Sequence, residues 1–232
     1  MAAWRSAVIM MILCVVGICV GTEATPAQQV PLRGLQVSPP ANTSLSASEY
    51  EALVGLLGGN DTTPLTSLYR TSVHGTAYGD LLDNVGDAKP LVFVIKKDQY
   101  VFGAFISAGI KEPDDPTGSN FYDSDVWWFS LAGHFPQPTK IEIPEYRQWV
   151  EVAGRKGNVE GGNVYIGGLL SLGDSGTVDG PPAADIRSCY QWTDSEDVPE
   201  DYTGERDGDG DAVLGGSQEF IADEIEVLSV VQ

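Results

Sequence analysis

Residues 89–109 read KPLVFVIKKDQYVFGAFISAG and contain two apolar runs, residues 91–95 and 100–106, on either side of a polar break. Two short apolar segments joined by a polar turn predict a β-hairpin. The apolar residues are continuous instead of alternating, so we expect both strands to be covered on both faces. Lys96 and Lys97 fall at the polar tip, where they would keep the turn solvated.

More strands are predicted further along the chain. Residues 126–131 (VWWFSL) predict a buried strand in which Trp127 and Trp128 point to opposite faces, so that at least one of them is buried. The other strand candidates are residues 140–143, 148–152, 164–172, 188–192 and 220–231. In the last of these, Glu224 and Glu226 stand two positions apart and share one face.

Two short helices are predicted before these strands. Ser48 and Glu51 have the spacing of a capping box, and Gly58 follows the apolar residues of the first helix as a stop signal. A second helix is predicted at Tyr78–Val85, because its leucines and valine can share one face. Segments dense in Gly, Pro and Asp are predicted as loops at residues 113–120, 173–185 and 194–211.

The composition excludes two kinds of partner. The chain has 232 residues and a formal net charge of −20, with 33 acidic against 13 basic residues. Nucleic acids and anionic membrane surfaces are bound by clustered Lys and Arg side chains. We therefore predict no nucleic-acid partner and no binding to an anionic membrane surface. A hydrophobic content of 42% is sufficient for a folded core.

The amino terminus predicts a signal peptide. Arg5 is followed by fourteen apolar residues, 7–20, and then by small residues. This run is shorter than the ~20 apolar residues of a transmembrane helix, and it has the length of a signal-peptide core. We expect residues 1–21 to be removed and the mature chain to be soluble, and either secreted or held in the lumen of the secretory pathway. An uncleaved signal anchor is the alternative.

Residues 22–47 are rich in Pro, Gln, Ser and Thr and predict a flexible linker before a single domain at residues 48–232. Two N-glycosylation sequons, at Asn42 and Asn60, lie near the domain entrance, and both are candidates for modification in a translocated chain. The protein would then be an acidic secreted glycoprotein.

Cysteine usage excludes a disulfide-stapled scaffold. Cys14 and Cys19 lie in the apolar run, so Cys189 would be alone in the mature chain. Cys189 is therefore a free-thiol candidate. Arg187 lies two residues away and would share its face in a strand, which is one way to activate a thiol. The alternative is a structural Cys in the core.

The ordered elements resemble the TLDc domain, the module of the oxidation-resistance proteins and of related nuclear-receptor-coactivator and Rab-GAP proteins. The resemblance spans residues 46–231 and is most specific in the hairpin and the closing strand. It is carried by LTSLYRTSVHG (65–75), YVFG (100–103), WWFSL (127–131), the Gly-Gly pairs at 161–162 and 167–168, SCYQW (188–192) and FIADEIEVLSV (220–230). The chain departs from the family pattern at His74, Gln99 and Leu228, where Asp, Gly and Trp are usual.

The resemblance implies a mainly β or α+β fold, in which two antiparallel sheets form a sandwich flanked by short helices. It implies a protein without enzymatic activity or cofactor, linked to resistance to oxidative stress. It also implies regulation of the vacuolar-type proton pump, provided that the domain is cytosolic. The family-motif positions expected to be structural are Gly75, Tyr100, Phe102, Gly103, Phe129 and Glu226.

Two sequence patterns are similar to parts of zinc or catalytic sites, but each lacks the further residues that such a site needs. His74 and His134 are scattered, and zinc requires three or four converging nitrogen or sulfur ligands. Asp174-Ser-Gly176 is similar to an aspartic-protease triplet, but that chemistry needs two such carboxylates sharing a proton. A turn is the simpler interpretation. We therefore predict no catalytic residues and no zinc site.

Asp207, Asp209 and Asp211 match the acidic positions 1, 3 and 5 of an EF-hand calcium loop. Ala212 and Gln218 stand where that loop requires Gly at position 6 and Glu at position 12. This excludes an EF-hand and leaves weak calcium binding open. The sequence as a whole predicts a non-enzymatic domain that binds a protein partner. The alternatives are a secreted acidic hydrolase and a calcium-dependent lectin-like module, both of which would use the carboxylate-rich loops.

Overall fold

The computed structural model describes residues 39–58 and 64–230, which form two antiparallel β-sheets packed face to face. The predicted sandwich with short flanking helices is confirmed. In spatial order, the first sheet contains β1 (Leu65–Arg70), β12 (Glu224–Val230), β2 (Leu91–Lys97), β3 (Tyr100–Ile106), β5 (Val126–Ala132) and β6 (Thr139–Glu142). The second contains β11 (Glu219–Ile221), β10 (Ser188–Gln191), β9 (Leu170–Leu172), β8 (Val164–Ile166), β7 (Trp149–Ala153) and β4 (Ser119–Asp123). The predicted signal peptide lies outside the described residues.

The helices are α1 (Ala47–Leu56), α2 (Thr71–His74), α3 (Tyr78–Val85) and a 3₁₀ turn at Glu145–Arg147. The predicted capping box was placed two residues too late. Ser46 caps α1 by accepting a hydrogen bond from the Glu49 amide, and the Glu49 carboxylate accepts one from the Ser46 amide. The spacing Ser-x-x-Glu occurs twice in this stretch, and propensity alone does not choose between the two registers. No helix in the described ranges is long and apolar enough to span a membrane.

The hairpin that dominates the sequence forms as predicted. β2 and β3 pair from Leu91 with Ile106 to Lys97 with Tyr100, and Asp98-Gln99 is the turn. The family usually has Gly at the position of Gln99. In this chain the turn residue with left-handed backbone conformation is the preceding one, Asp98, whose φ is 51°. The predicted solvated role of Lys96 is wrong. Its ammonium donates to the Ser44 carbonyl and, at 3.2 Å, to the Glu49 carboxylate.

The first sheet is buried on both faces, which explains its unbroken apolar strands. One face packs against the second sheet and contributes Phe93, Phe102 and Trp128 to the central core. The other face carries Trp127 and Phe129 and packs against α1. Both tryptophans of the predicted buried strand are therefore buried, on opposite faces, as expected from their adjacent positions.

Two predicted strands are each divided. Residues 164–172 form β8 and β9, which are separated by Gly167 and Gly168, both at positive φ. Residues 220–231 begin with β11 in the second sheet and continue as β12 in the first sheet. Apolar character is continuous across both breaks, so periodicity does not reveal them. β12 and β3 lie in the same sheet, on either side of β2, as the family resemblance requires.

Two strands were not predicted. β1 was recognised only as a family motif, and β4 overlaps a segment predicted as a loop. Both are edge strands of their sheets, and β4 alternates exposed with half-buried residues. Such strands carry little apolar signal, because one face and one edge remain in water.

Candidate functional site

The outer face of the second sheet is the candidate functional site. The corresponding face of the first sheet is covered by α1. On the second sheet, cross-strand register places outward-facing side chains in one row across five neighbouring strand pairs. In order, the row contains Phe121, Glu151, Tyr165, Ser171, Tyr190 and Glu219.

Aromatic side chains occupy much of this face. Phe121 is 57% exposed, although large aromatic side chains are usually buried. The Trp149 ring centroid lies 4.9 Å from that of Phe121 and 5.6 Å from that of Tyr165, so the three rings form one patch. Aromatic groups that remain accessible on a folded surface are typical of binding sites.

A cleft of about 320 Å³ opens at the other end of the row. Tyr165, Ser171 and Tyr190 project from neighbouring strands β8, β9 and β10 and form its floor. Glu160, from the β7–β8 connection, and Asp174, from the loop after β9, also line the cleft. These two connections are joined by a hydrogen bond of 3.0 Å from the Ser175 amide to the Gly161 carbonyl. Trp192 and Glu219 contribute the remaining aromatic and acidic groups.

Three carboxylates, those of Glu160, Asp174 and Glu219, line the cleft. Burial, the largest cause, and the nearby carboxylates of Glu160 and Asp174 together raise the pKa of Tyr165 to about 12. Burial and nearby carboxylates, including Asp174 and Glu219, also raise the pKa of Tyr190. Both phenols therefore remain protonated at neutral pH and can donate hydrogen bonds.

Glu226, the acidic family-motif residue, is fully buried on the α1 side of the first sheet. One carboxylate oxygen accepts from the Thr43 hydroxyl and from the amide and hydroxyl of Ser44, and the other accepts from Ser67 at 2.6 Å. The described end of the segment predicted as a linker is thus fixed to the domain. Leu45 follows and is buried in the core under α1.

Glu224, two positions earlier, accepts hydrogen bonds from Arg70, Thr71 and Ser72. Burial alone would raise the pKa of Glu224, but these hydrogen bonds outweigh it and lower the pKa. The predicted common face of Glu224 and Glu226 is confirmed. The hydrogen-bond donors to both carboxylates belong to the same chain. The pair therefore connects β12 to neighbouring segments and does not form an open binding site.

The remaining family-motif residues are structural. Tyr100 stacks on His134 with ring centroids 4.5 Å apart, and Phe102 and Phe129 are fully buried. A Cβ at Gly103 would overlap the Phe93 carbonyl, so only glycine fits there. Gly75 has a φ of 104°, which likewise favours glycine.

Cys189 is a free thiol, 2% exposed, on the inner face of β10. Burial raises its pKa, with a smaller contribution from nearby acids. Arg187 is already paired with Asp185 at 2.7 Å. These observations favour the structural interpretation of Cys189 over the activated thiol.

The histidines do not form a metal site. His134 is fully buried and shares a 2.8 Å hydrogen bond with Ser130, whereas His74 accepts from the Arg70 amide at 2.9 Å. Within residues 39–58 and 64–230, no three His, Cys, Asp or Glu side chains are grouped to hold a metal ion. The Asp207 carboxylate accepts hydrogen bonds from the amides of Asp209 and Asp211, so it stabilises its own loop.

The triplet at Asp174 forms a turn in which its carboxylate accepts from the Gly176 amide at 2.7 Å, in agreement with the predicted turn. Of the two glycosylation candidates, Asn42 is exposed, and its carbonyl accepts from Arg70 at 2.8 Å. Asn60 lies outside the described residues. Whether either asparagine is modified stays a prediction.

A family model for the TLDc domain matches residues 41–151. This match supports the assignment of the chain to the TLDc domain family. A search of curated proteins finds no match. The family match ends within β7, so the residues that line the cleft lie beyond the matched segment.

Sequence reasoning did not identify the cleft of the second sheet. Its floor comes from three short strands, and in two of them a polar residue stands between two apolar ones, as in Val-Tyr-Ile and Leu-Ser-Leu. This alternation predicts outward-facing Tyr165, Ser171 and Tyr190 once the strands are separated. The prediction of one continuous strand at residues 164–172 does not reveal this alternation.

Proposed function

We propose that this TLDc domain is a non-enzymatic binding module that recognises a protein partner through the outer face of its second sheet. The observation that carries the proposal is the accessible aromatic patch beside an acidic cleft, on the sheet face opposite the central core. Accessible aromatic side chains supply much of the binding energy at protein interfaces.

Site-specific photo-crosslinking tests this function in the full chain. A photoreactive phenylalanine analogue replaces Phe121 or Ile221, two exposed residues of the second sheet, or Val73, an exposed control residue in α2. We expect one discrete crosslinked protein from the first two positions and none from Val73. Equal products from all three positions, or none from the second sheet, contradict the proposal.

The competing candidate is a hydrolase, because Glu160, Asp174 and Glu219 line one cleft and paired carboxylates can catalyse hydrolysis. Purified chain assayed with chromogenic glycosides and peptides is expected to show no turnover above the Asp174→Asn variant. Turnover that this variant abolishes would replace the binding module with an enzyme. A calcium titration that leaves the thermal midpoint unchanged would argue against a calcium-dependent lectin.

The family resemblance suggests two finer roles. For a chain that remains in the cytosol, we propose the cytosolic sector of the vacuolar-type proton pump as the partner, and co-sedimentation with purified pump tests this. For resistance to oxidative stress, we propose an effect through the bound partner, because Cys189 is buried and its raised pKa disfavours the reactive thiolate. Protection that survives Cys189→Ser substitution supports this route.

A further inference from the structure

The acidic groups of the second-sheet cleft are not paired with basic side chains of the described residues. In residues 39–58 and 64–230, Glu160, Asp174 and Glu219 form no ion pair. Arg147 and Arg187, which belong to the same half of the sandwich, are already paired with Asp194 and Asp185. The cleft is therefore complementary to a cation from outside the chain.

The floor of the cleft has an unused hydrogen-bonding group. Ser171 is 4% exposed, and its hydroxyl has no hydrogen-bond partner among the described residues. It projects between Tyr165 and Tyr190, as the register of the three strands requires. A buried hydroxyl without a partner costs free energy, and a ligand that donates an N–H group would remove that cost.

The aromatic groups of the cleft also suit a cation. The Trp192 ring already contacts a cation of the same chain, because the guanidinium of Arg147 lies 5.2 Å from its centre in a cation–π contact. Tyr165 and Tyr190 offer further ring surface beside the carboxylates. A planar guanidinium can stack on such a ring while its N–H groups donate to carboxylate and hydroxyl oxygens.

We propose that the cleft binds an arginine side chain presented by a basic segment of the partner protein. This inference rests on the proposed binding function and names the chemistry of its ligand. Arginine matches the site better than a neutral sugar, because three carboxylates would remain uncompensated beneath the sugar. It also matches better than lysine, whose ammonium lacks a planar face and a forked set of donors.

A peptide titration tests the proposal. The full chain is titrated with acetylated, amidated Gly-Arg-Gly-Arg-Gly, and binding is followed by nuclear magnetic resonance at physiological salt. Citrulline, which is neutral but similar in shape, replaces arginine in the control peptide. We expect at least about tenfold tighter binding of the arginine peptide, with shifts centred on Tyr165, Ser171 and Tyr190. Equal binding of both peptides overturns the proposal.

Two variants with equal changes in charge separate a specific site from general attraction to an acidic protein. Glu160→Gln/Asp174→Asn/Glu219→Gln neutralises the cleft, and Glu196→Gln/Glu200→Gln/Asp201→Asn neutralises three exposed acids of another loop. We expect the first to weaken binding at least about tenfold and the second less than about twofold. Equal weakening by both variants assigns the binding to net charge and overturns the site.

Ser171→Ala tests the floor. Because the hydroxyl has no partner in the protein, its removal is expected to leave the denaturation midpoint unchanged or slightly raised. Binding of the arginine peptide is nevertheless expected to weaken about threefold to tenfold. Unchanged binding would contradict the role assigned to Ser171. A Gly-Lys-Gly-Lys-Gly peptide that binds more tightly than the arginine peptide would contradict the preference for arginine.

Failure of this inference can be distinguished from failure of the proposed function. If the crosslinked partner is retained by the neutralised-cleft variant and the arginine peptide does not bind, the binding function stands and the arginine site is wrong. If soluble oligosaccharides bind the cleft and the arginine peptide does not, the ligand is a sugar. If neither crosslinking nor peptide binding depends on the second sheet, both proposals fail.

Discussion

At the scale of single residues, Glu226 shows how a buried carboxyl group can be held without a basic partner among the described residues. Four hydrogen bonds from neutral donors satisfy its carboxylate. Glu226→Ala would leave these donors unpaired in the interior, and we expect a loss of at least about 3 kcal/mol in the free energy of unfolding. Urea denaturation measures the loss. Glu51→Gln, an exposed control in α1, should change stability by less than about 0.5 kcal/mol.

Cys189 gives a second prediction at this scale. Native full-length chain treated with iodoacetamide at pH 8 should remain unmodified at Cys189, because the thiol is buried and its pKa is raised. Peptide mass spectrometry measures the modification. Tyr190→Cys in a Cys189→Ser background moves the thiol to the outer face of the same strand and should react readily. Rapid labelling of native Cys189 would contradict this prediction and support an activated thiol.

At the scale of elements, two glycines predict opposite outcomes. Gly103→Ala in β3 would force Cβ against the Phe93 carbonyl and the Phe129 ring, so we expect a loss of about 3 kcal/mol or more. Gly55→Ala in α1 meets no atom within 4 Å and should gain about 0.5–1 kcal/mol, because alanine is the better helix former. Chemical denaturation compares the two variants, and similar effects would contradict the assigned strand and helix environments.

The elements also show what the sequence could predict. The continuous apolar runs of β2, β3 and β5 were predictable, because burial on both faces leaves a strong signal. The division of residues 220–231 between two sheets was not, because Ala222 and Asp223 change the direction of the chain without a Gly or Pro. Polar edge strands such as β4 are stabilised by pairing with β7, a non-local contact that local patterns do not encode.

At the scale of the whole molecule, the sandwich should lose stability in acid through His134. Burial lowers the pKa of His134 to about 4, whereas an unfolded histidine titrates near 6.5. Between these values the unfolded chain binds the proton more readily, so stability falls as the pH falls from 7 to 4, by up to about 3 kcal/mol from this group. Carboxylates with lowered pKa values, such as Glu224, act in the same direction.

His134→Phe isolates the histidine contribution, because phenylalanine can still stack on Tyr100 and cannot titrate. Free energies of unfolding from urea denaturation at pH 7, 6, 5 and 4 should fall less steeply for this variant than for the natural chain. Identical slopes would show that His134 is protonated in the folded protein as readily as in the unfolded one.

The cleft is a property of the whole molecule, which is why sequence reasoning did not reach it. Its acids, Glu160, Asp174 and Glu219, come from positions up to 59 residues apart in the printed numbering. Each looked like an ordinary solvated loop or strand residue. The antiparallel order of β8, β9, β10 and β11, with their connections, brings them around Ser171.

The anchoring of Ser44 has a consequence for the timing of glycosylation. Asn42-Thr43-Ser44 is an acceptor sequence, and the transferase that reads it requires a free hydroxyl at the third position. In the folded domain that hydroxyl is held by Glu226. In a chain that enters the endoplasmic reticulum, sugar transfer to Asn42 must therefore precede completion of the first sheet. Glu226→Ala, which removes the acceptor of the Ser44 hydroxyl, should raise the occupied fraction, which pulse-labelling would measure.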